Sequence, residues 1–141
     1  MRAEPWLIAG GILSAAASLM HLAIIAGGPA WYRWFHAGDK MVAMAERGEA
    51  RPWIITLGIA AVLAVFAACA FSAAGLIPRL PLLPLALVGI TGVYLLRGLA
   101  LGPLLVWRPH LVDNFILWSS LIVLVYGLVH AIGTWLVWRE L

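Results

Sequence analysis

Three residues able to carry charge stand inside long apolar runs: His21, Arg97 and His130. An ionised side chain at the centre of a membrane helix costs about 2.5–3.5 kcal/mol on insertion scales, so such a residue marks a partner or a function. Guanidinium keeps its charge and offers a planar fork to carboxylate or phosphate, whereas imidazole donates, accepts or relays a proton. Hydroxyls accompany all three at helical spacing. Ser14, Ser18 and His21 are four and three residues apart, Ser119, Tyr126, His130 and Thr134 follow the same pattern, and Tyr94 lies one turn from Arg97. Each set predicts one polar helix face, suited to interhelical hydrogen bonds or to the head of a ligand.

The elements carrying these residues follow from composition. At 141 residues, with 65% hydrophobic and 11% charged side chains, the chain has too little polar surface to cover a globule in water. Four apolar segments, about 6–27, 53–77, 80–101 and 114–138, are each long enough to cross the bilayer as a helix of ~20 residues. The expected fold is therefore an all-α integral membrane four-helix bundle, one transmembrane domain spanning 1–141. The first segment is longer than the ~7–15 apolar residues of a signal peptide, and Glu4 does not suit a basic leader, so it reads as a spanning helix.

Tryptophans mark two interfaces, with Trp6, Trp135 and Trp138 on the face of the termini and Trp31, Trp34, Trp53, Trp107 and Trp118 on the opposite, loop face. The basic residues favour a cytoplasmic loop face and both termini outside. They form no tract for nucleic acid. Lone Cys69 reads as a small buried thiol.

The longest connection, about 30–47, places Trp31, Trp34, Phe35, Met41, Val42 and Ala45 at intervals of three and four, with Arg33, Asp39, Lys40, Glu46 and Arg47 elsewhere. That pattern predicts an interfacial amphipathic helix, begun by Pro29, ended by Gly48 and open to interruption at Gly38, serving as an anchor or as a lid. The connection at 102–113 repeats four of its residues in register. Gly28, Pro29, His36 and Asp39 match Gly102, Pro103, His110 and Asp113, the pattern that a duplicated hairpin would leave.

Counting 1.5 Å per residue from the loop-face ends puts His21 about 9 Å deep and Arg97 roughly 6–14 Å deep, the latter depending on whether helix three stops at Gly102 or reaches Trp107. Ser119 and Ser120 share this layer. His130 lies about 24 Å deep, too far from His21 for one haem between them, and reads as a packing donor to Tyr126 or a carbonyl. Arg97 has two expectations: its stem snorkels to lipid phosphates, or it points inward to Asp39, Asp113 or the head of an amphiphile. His36, Asp39, His110 and Asp113 could pair across a divalent ion, but no metal or other cofactor is expected. Acid pairs, serine elbows, Cys-x-x-Cys and phosphate loops do not occur, which leaves little support for an enzyme.

The four helices, the aromatic connection and the final WSSLIVLVYGLVHAIG segment resemble small uncharacterised bacterial membrane proteins, and in layout the DoxX group. That resemblance implies four helices in the bacterial inner membrane and association with respiratory or redox partners. Helix two has no acidic residue, so it assigns no role to a particular position. The expected function is binding or moving an amphiphilic ligand, lipid or quinone-like, at Arg97, His21, Tyr94, Ser119, Tyr126, His130, Asp39 and Asp113. The expected partners are membrane lipids and a homo-oligomer or larger membrane complex. The alternatives are an accessory subunit of such a complex and, third, a small membrane enzyme.

Overall fold

The computed structural model describes residues 2–141, with no strand among them. In chain order the helices are α1 (Glu4–Gly27), α2 (Pro29–Trp34), α3 (Asp39–Glu46), α4 (Ala50–Ala73), α5 (Leu83–Leu99), α6 (Leu101–Trp107) and α7 (Asn114–Val137). Four stretches, Glu4–Gly27, Ala50–Ala73, Leu83–Trp107 and Asn114–Val137, are long and apolar enough to cross a membrane. This is the architecture of a four-helix bundle. Large apolar side chains such as Leu96, Val106, Trp118 and Trp135 face outward, as side chains solvated by lipid do.

Helix limits follow from identifiable residues. Pro29 opens α2 behind Gly28, whose φ of 70° suits glycine. The expected amphipathic helix is split in two. His36 at φ 52° and Gly38 at φ 98° reverse the chain between α2 and α3, so the left-handed backbone overrides the continuous apolar pattern. α4 ends at Ala73, earlier than the apolar run, because Gly75 turns the chain at φ 78°.

The third span resolves the ambiguity over its end. It continues to Trp107, with a break at Ala100 between α5 and α6. Pro103 explains the break, since it has no N–H for the Leu99 carbonyl and its ring crowds that carbonyl. Asp113 starts α7 by accepting a 2.7 Å hydrogen bond from the Ile116 N–H.

Packing divides the chain into two compact units, one of residues up to Ser14 with Phe66–Leu141, the other Ala15–Val65. In the first unit glycines set the helix spacing. A Cβ on Gly98 would lie 2.7 Å from the Leu124 Cα, and one on Gly127 would lie 3.0 Å from the Leu95 N, so α5 and α7 meet backbone to backbone. Gly133 receives Leu7 in the same way, and Gly10 receives the His130 ring. In the second unit Tyr32 packs with Ile24 and Val42, flanked by Phe35, Met41 and Ala45, while Arg33 and Glu46 pair across α2 and α3.

Candidate functional site

The polar groups of the first unit lie along the facing sides of α5 and α7, with one contribution from α1. At its centre the Ser14 and Tyr94 hydroxyls are 2.8 Å apart, and Ser14 Oγ is 3.2 Å from His130 Nε2. Ser14 and His130 are fully buried and Tyr94 nearly so. The His130 Nδ1 is buried with no hydrogen-bond partner. An unmatched lone pair is tolerated better than an unmatched N–H, so the proton belongs on Nε2, which donates to Ser14 Oγ. The imidazole fits because Gly10 has no side chain: its Cβ would stand 3.0 Å from Cε1 and Nε2.

Aromatic rings close this centre. Tyr94 meets Phe66 and Tyr126 edge to face at centroid distances of 5.6 and 5.5 Å, and its ring centre lies 5.2 Å from that of His130. Thr91 and Thr134 face each other at 3.4 Å further along the same helices. The centre is thus a packed lock between α1, α5 and α7, and a ligand reaching Ser14 or His130 would first have to part them.

Arg97 is different in kind. Its Nη1 donates to Ser120 Oγ at 2.9 Å, while the arginine itself remains exposed and the serine fully buried. Within Leu83–Trp107 it stands ten residues from Trp107 and fourteen from Leu83, roughly 15 and 21 Å along a helix. The longer span therefore puts Arg97 nearer the middle of that apolar stretch than a stop at Gly102 would. Of its five N–H donors one serves the serine, and the fork is open to an acceptor.

The remaining expected site residues separate from this group. Ser119, one position off the buried face, donates to the Ile116 carbonyl of its own helix, and Ser120 takes the place expected for it. Asp113 is engaged as the cap of α7. His130 turns to Ser14 and to the Gly10 backbone, the carbonyl alternative, and not to the Tyr126 hydroxyl, whose ring instead packs on Tyr94. His21 and Asp39 belong to the second unit. There His21 is partly buried and its Nδ1–H donates to the Ala17 carbonyl at 2.7 Å, while Ser18 donates to Ala60. Asp39 is exposed in the first turn of α3.

No group of three or more His, Cys, Asp and Glu residues that could hold a metal is found among the described residues, His36 and His110 included. The repeated residues take partly different local places: Gly28 precedes α2 with a positive φ whereas Gly102 lies inside α6, His36 lies in the turn after α2 whereas His110 lies in a 3-10 turn, Pro109–Leu111, and Asp39 and Asp113 open α3 and α7.

Ser14 and Ser120, which their spacing places on polar helix faces but which are absent from the expected ligand-binding set, make the side-chain bonds of this site. The buried positions of α7, Ser120, Gly127, His130, Gly133, Thr134 and Val137, carry the signal that would have found Ser120, because the glycines mark the face of closest approach. No protein-family model, curated protein or solved structure matches this chain.

Proposed function

We propose that the chain is a multi-pass protein of the bacterial inner membrane that binds, or moves, an amphiphile with an acidic head, using Arg97 as the head-group receptor. The observation carrying this reading is a permanent cation near the middle of a spanning helix, exposed, and hydrogen-bonded to a neutral hydroxyl. Such a charge is costly when it stands alone in hydrocarbon, and an anionic head offsets that cost through charge-assisted bonds to the fork. Ser120 holds one arm of the guanidinium and so aims the others. Ser14, Tyr94 and His130 contribute by fixing α5 against α1 and α7, and they have no contact with the ligand in this reading.

Mass spectrometry of species retained after gentle purification tests it. The wild type should carry an acidic amphiphile, Arg97→Leu should lose it, and Arg97→Lys should keep part of it, since ammonium retains the charge but lacks the fork. Equal retention by wild type and Arg97→Leu would overturn the assignment.

A second reading, an accessory subunit of a larger membrane complex, has its own observation. Gly58 on α4 has open space where a Cβ would be, and Ala61 and Ala64 beside it are exposed, so a neighbouring helix could approach closely. A stable partner lost on Gly58→Leu would favour it; purification as a lone chain from native membranes would count against it.

A further inference from the structure

The surroundings of Arg97 narrow the kind of acidic head it can receive. Within the first unit, the spans Leu83–Trp107 and Asn114–Val137 contain one permanently charged residue between them, Arg97. Glu4 lies in the first turn of α1, at its outer end, and Asp113 precedes α7 as its cap. These two spans therefore offer the guanidinium no carboxylate, and they add no second cation to it. A charge taken out of water is tolerated when it is paired, so a head carrying a single negative charge completes the site. A dianion would leave one charge uncompensated in the same apolar layer.

Hydrogen-bonding capacity sets a second limit. Residues three and four positions from Arg97 share its side of the span: Val93, Tyr94, Ala100 and Leu101. Those at the same spacing from Ser120 on α7 are Ile116, Leu117, Val123 and Leu124. Tyr94 is the one polar side chain among them, and it is buried with its hydroxyl on Ser14. Ser119 is turned to its own helix. A head on the open fork accordingly meets guanidinium N–H groups and, beyond them, apolar side chains. Of five such donors Ser120 holds one, which leaves four for the head. The two oxygens of a carboxylate present about four acceptor sites in one plane and match this supply. A phosphodiester brings ester oxygens and the polar groups of its substituent as well, and these would lie against leucine and valine without partners.

We propose that the amphiphile received by Arg97 is a long-chain carboxylic acid, bound as its carboxylate with its chain along the exposed Val93 and Leu96 of α5. This assignment rests on the reading of Arg97 as a head-group receptor and adds the chemistry of the head.

The test titrates full-length protein in a neutral detergent with single-chain amphiphiles of equal chain length: a carboxylate, an uncharged alcohol, an alkyl phosphate and a lysophosphatidylglycerol. At about pH 8.5 the carboxylic acid is ionised and the alkyl phosphate carries two charges. There the carboxylate should bind about tenfold more tightly than the phosphate or the lysolipid, the ratio expected for one unsatisfied polar group. Lowering the pH to about 5, below the second phosphate pKa of about 6, returns the phosphate to a monoanion and should tighten its binding, because the arginine keeps its charge throughout. Arg97→Leu should reduce the carboxylate to the affinity of the alcohol. Arg97→Gln, which keeps a hydrogen-bonding side chain near Ser120, should do the same. Dianionic phosphate or lysolipid binding as tightly as the carboxylate in wild type, and lost in Arg97→Leu, would overturn the carboxylate assignment and leave the receptor reading standing. Carboxylate binding that survives both Arg97 substitutions would overturn both. Absence of carboxylate binding by the wild type would also overturn the proposal, and would direct attention to a carboxylate on the helix of a partner chain.

Discussion

Replacing Gly98 with alanine should force α5 and α7 apart, and Gly89 in the same helix provides the control. A Cβ at position 98 would lie 2.7 Å from the Leu124 Cα and 2.8 Å from its N, both backbone atoms that no rotamer change can move away. Ordinary contact begins near 3.4 Å, so the helices must open by about 0.7 Å there. Overpacking of this kind costs about 1–3 kcal/mol. Glycine to alanine in a helix recovers about 0.8–1.0 kcal/mol through propensity. Gly89 has open space where the Cβ would go, so its alanine variant collects the propensity gain alone. The difference between the two variants therefore isolates the packing term, and Gly98→Ala should be less stable than Gly89→Ala by about 1–3 kcal/mol. Reversible unfolding in mixed micelles measures this. Opening by that amount would also stretch the 2.9 Å Arg97–Ser120 bond past useful length, so the Gly98→Ala penalty should shrink in a Ser120→Ala background. Equal stability of the Gly98 and Gly89 variants would refute backbone-close packing of α5 on α7.

Other substitutions probe separate parts of the account. Ser14→Ala removes the hydroxyl shared by Tyr94 and His130 and should cost about 1–3 kcal/mol in the same unfolding assay, because two buried groups lose a partner at once. Gly10→Ala should displace the His130 ring, visible as a shift of its imidazole carbon resonances, whereas Gly102→Ala should leave them unmoved. Asp113→Ala should lose the start of α7 and about 0.5–2 kcal/mol, and Asp113→Asn, an equally good cap, should keep most of that stability.

Much of the architecture could be read from the chain because long apolar runs leave little choice in hydrocarbon: the last span begins at Asn114 as read, and the first two start within about three residues of their reading. Departures came from single residues that act on the backbone. Pro103 broke the third span at Ala100 without ending it, since a helix in a membrane can resume beyond one missing bond. His36 and Gly38 divided the amphipathic connection through φ values that no hydrophobic pattern encodes.

The site was legible as a list of polar residues and less so as an arrangement. Tyr94, Arg97 and His130 belong to one unit, and Ser120 replaces Ser119, because the two lie about 100° apart and glycines decide which faces α5. Ser14, Ser18 and His21 do line one side of α1, yet they bond to three different places, respectively Tyr94 with His130, the Ala60 carbonyl and their own helix. Spacing predicts a face; it does not predict which neighbouring helix that face meets.

In the proposed function Arg97 receives an anionic head within the apolar span. Titrating detergent-purified protein with a single-chain phosphate amphiphile, with a choline-headed amphiphile of equal chain length for comparison, tests it most directly. The wild type should bind the phosphate selectively, and Arg97→Leu should lose about 10- to 100-fold in affinity, the equivalent of charge-assisted bonds of roughly 1.5–3 kcal/mol. Affinity for the phosphate amphiphile that is the same in wild type and Arg97→Leu would contradict it.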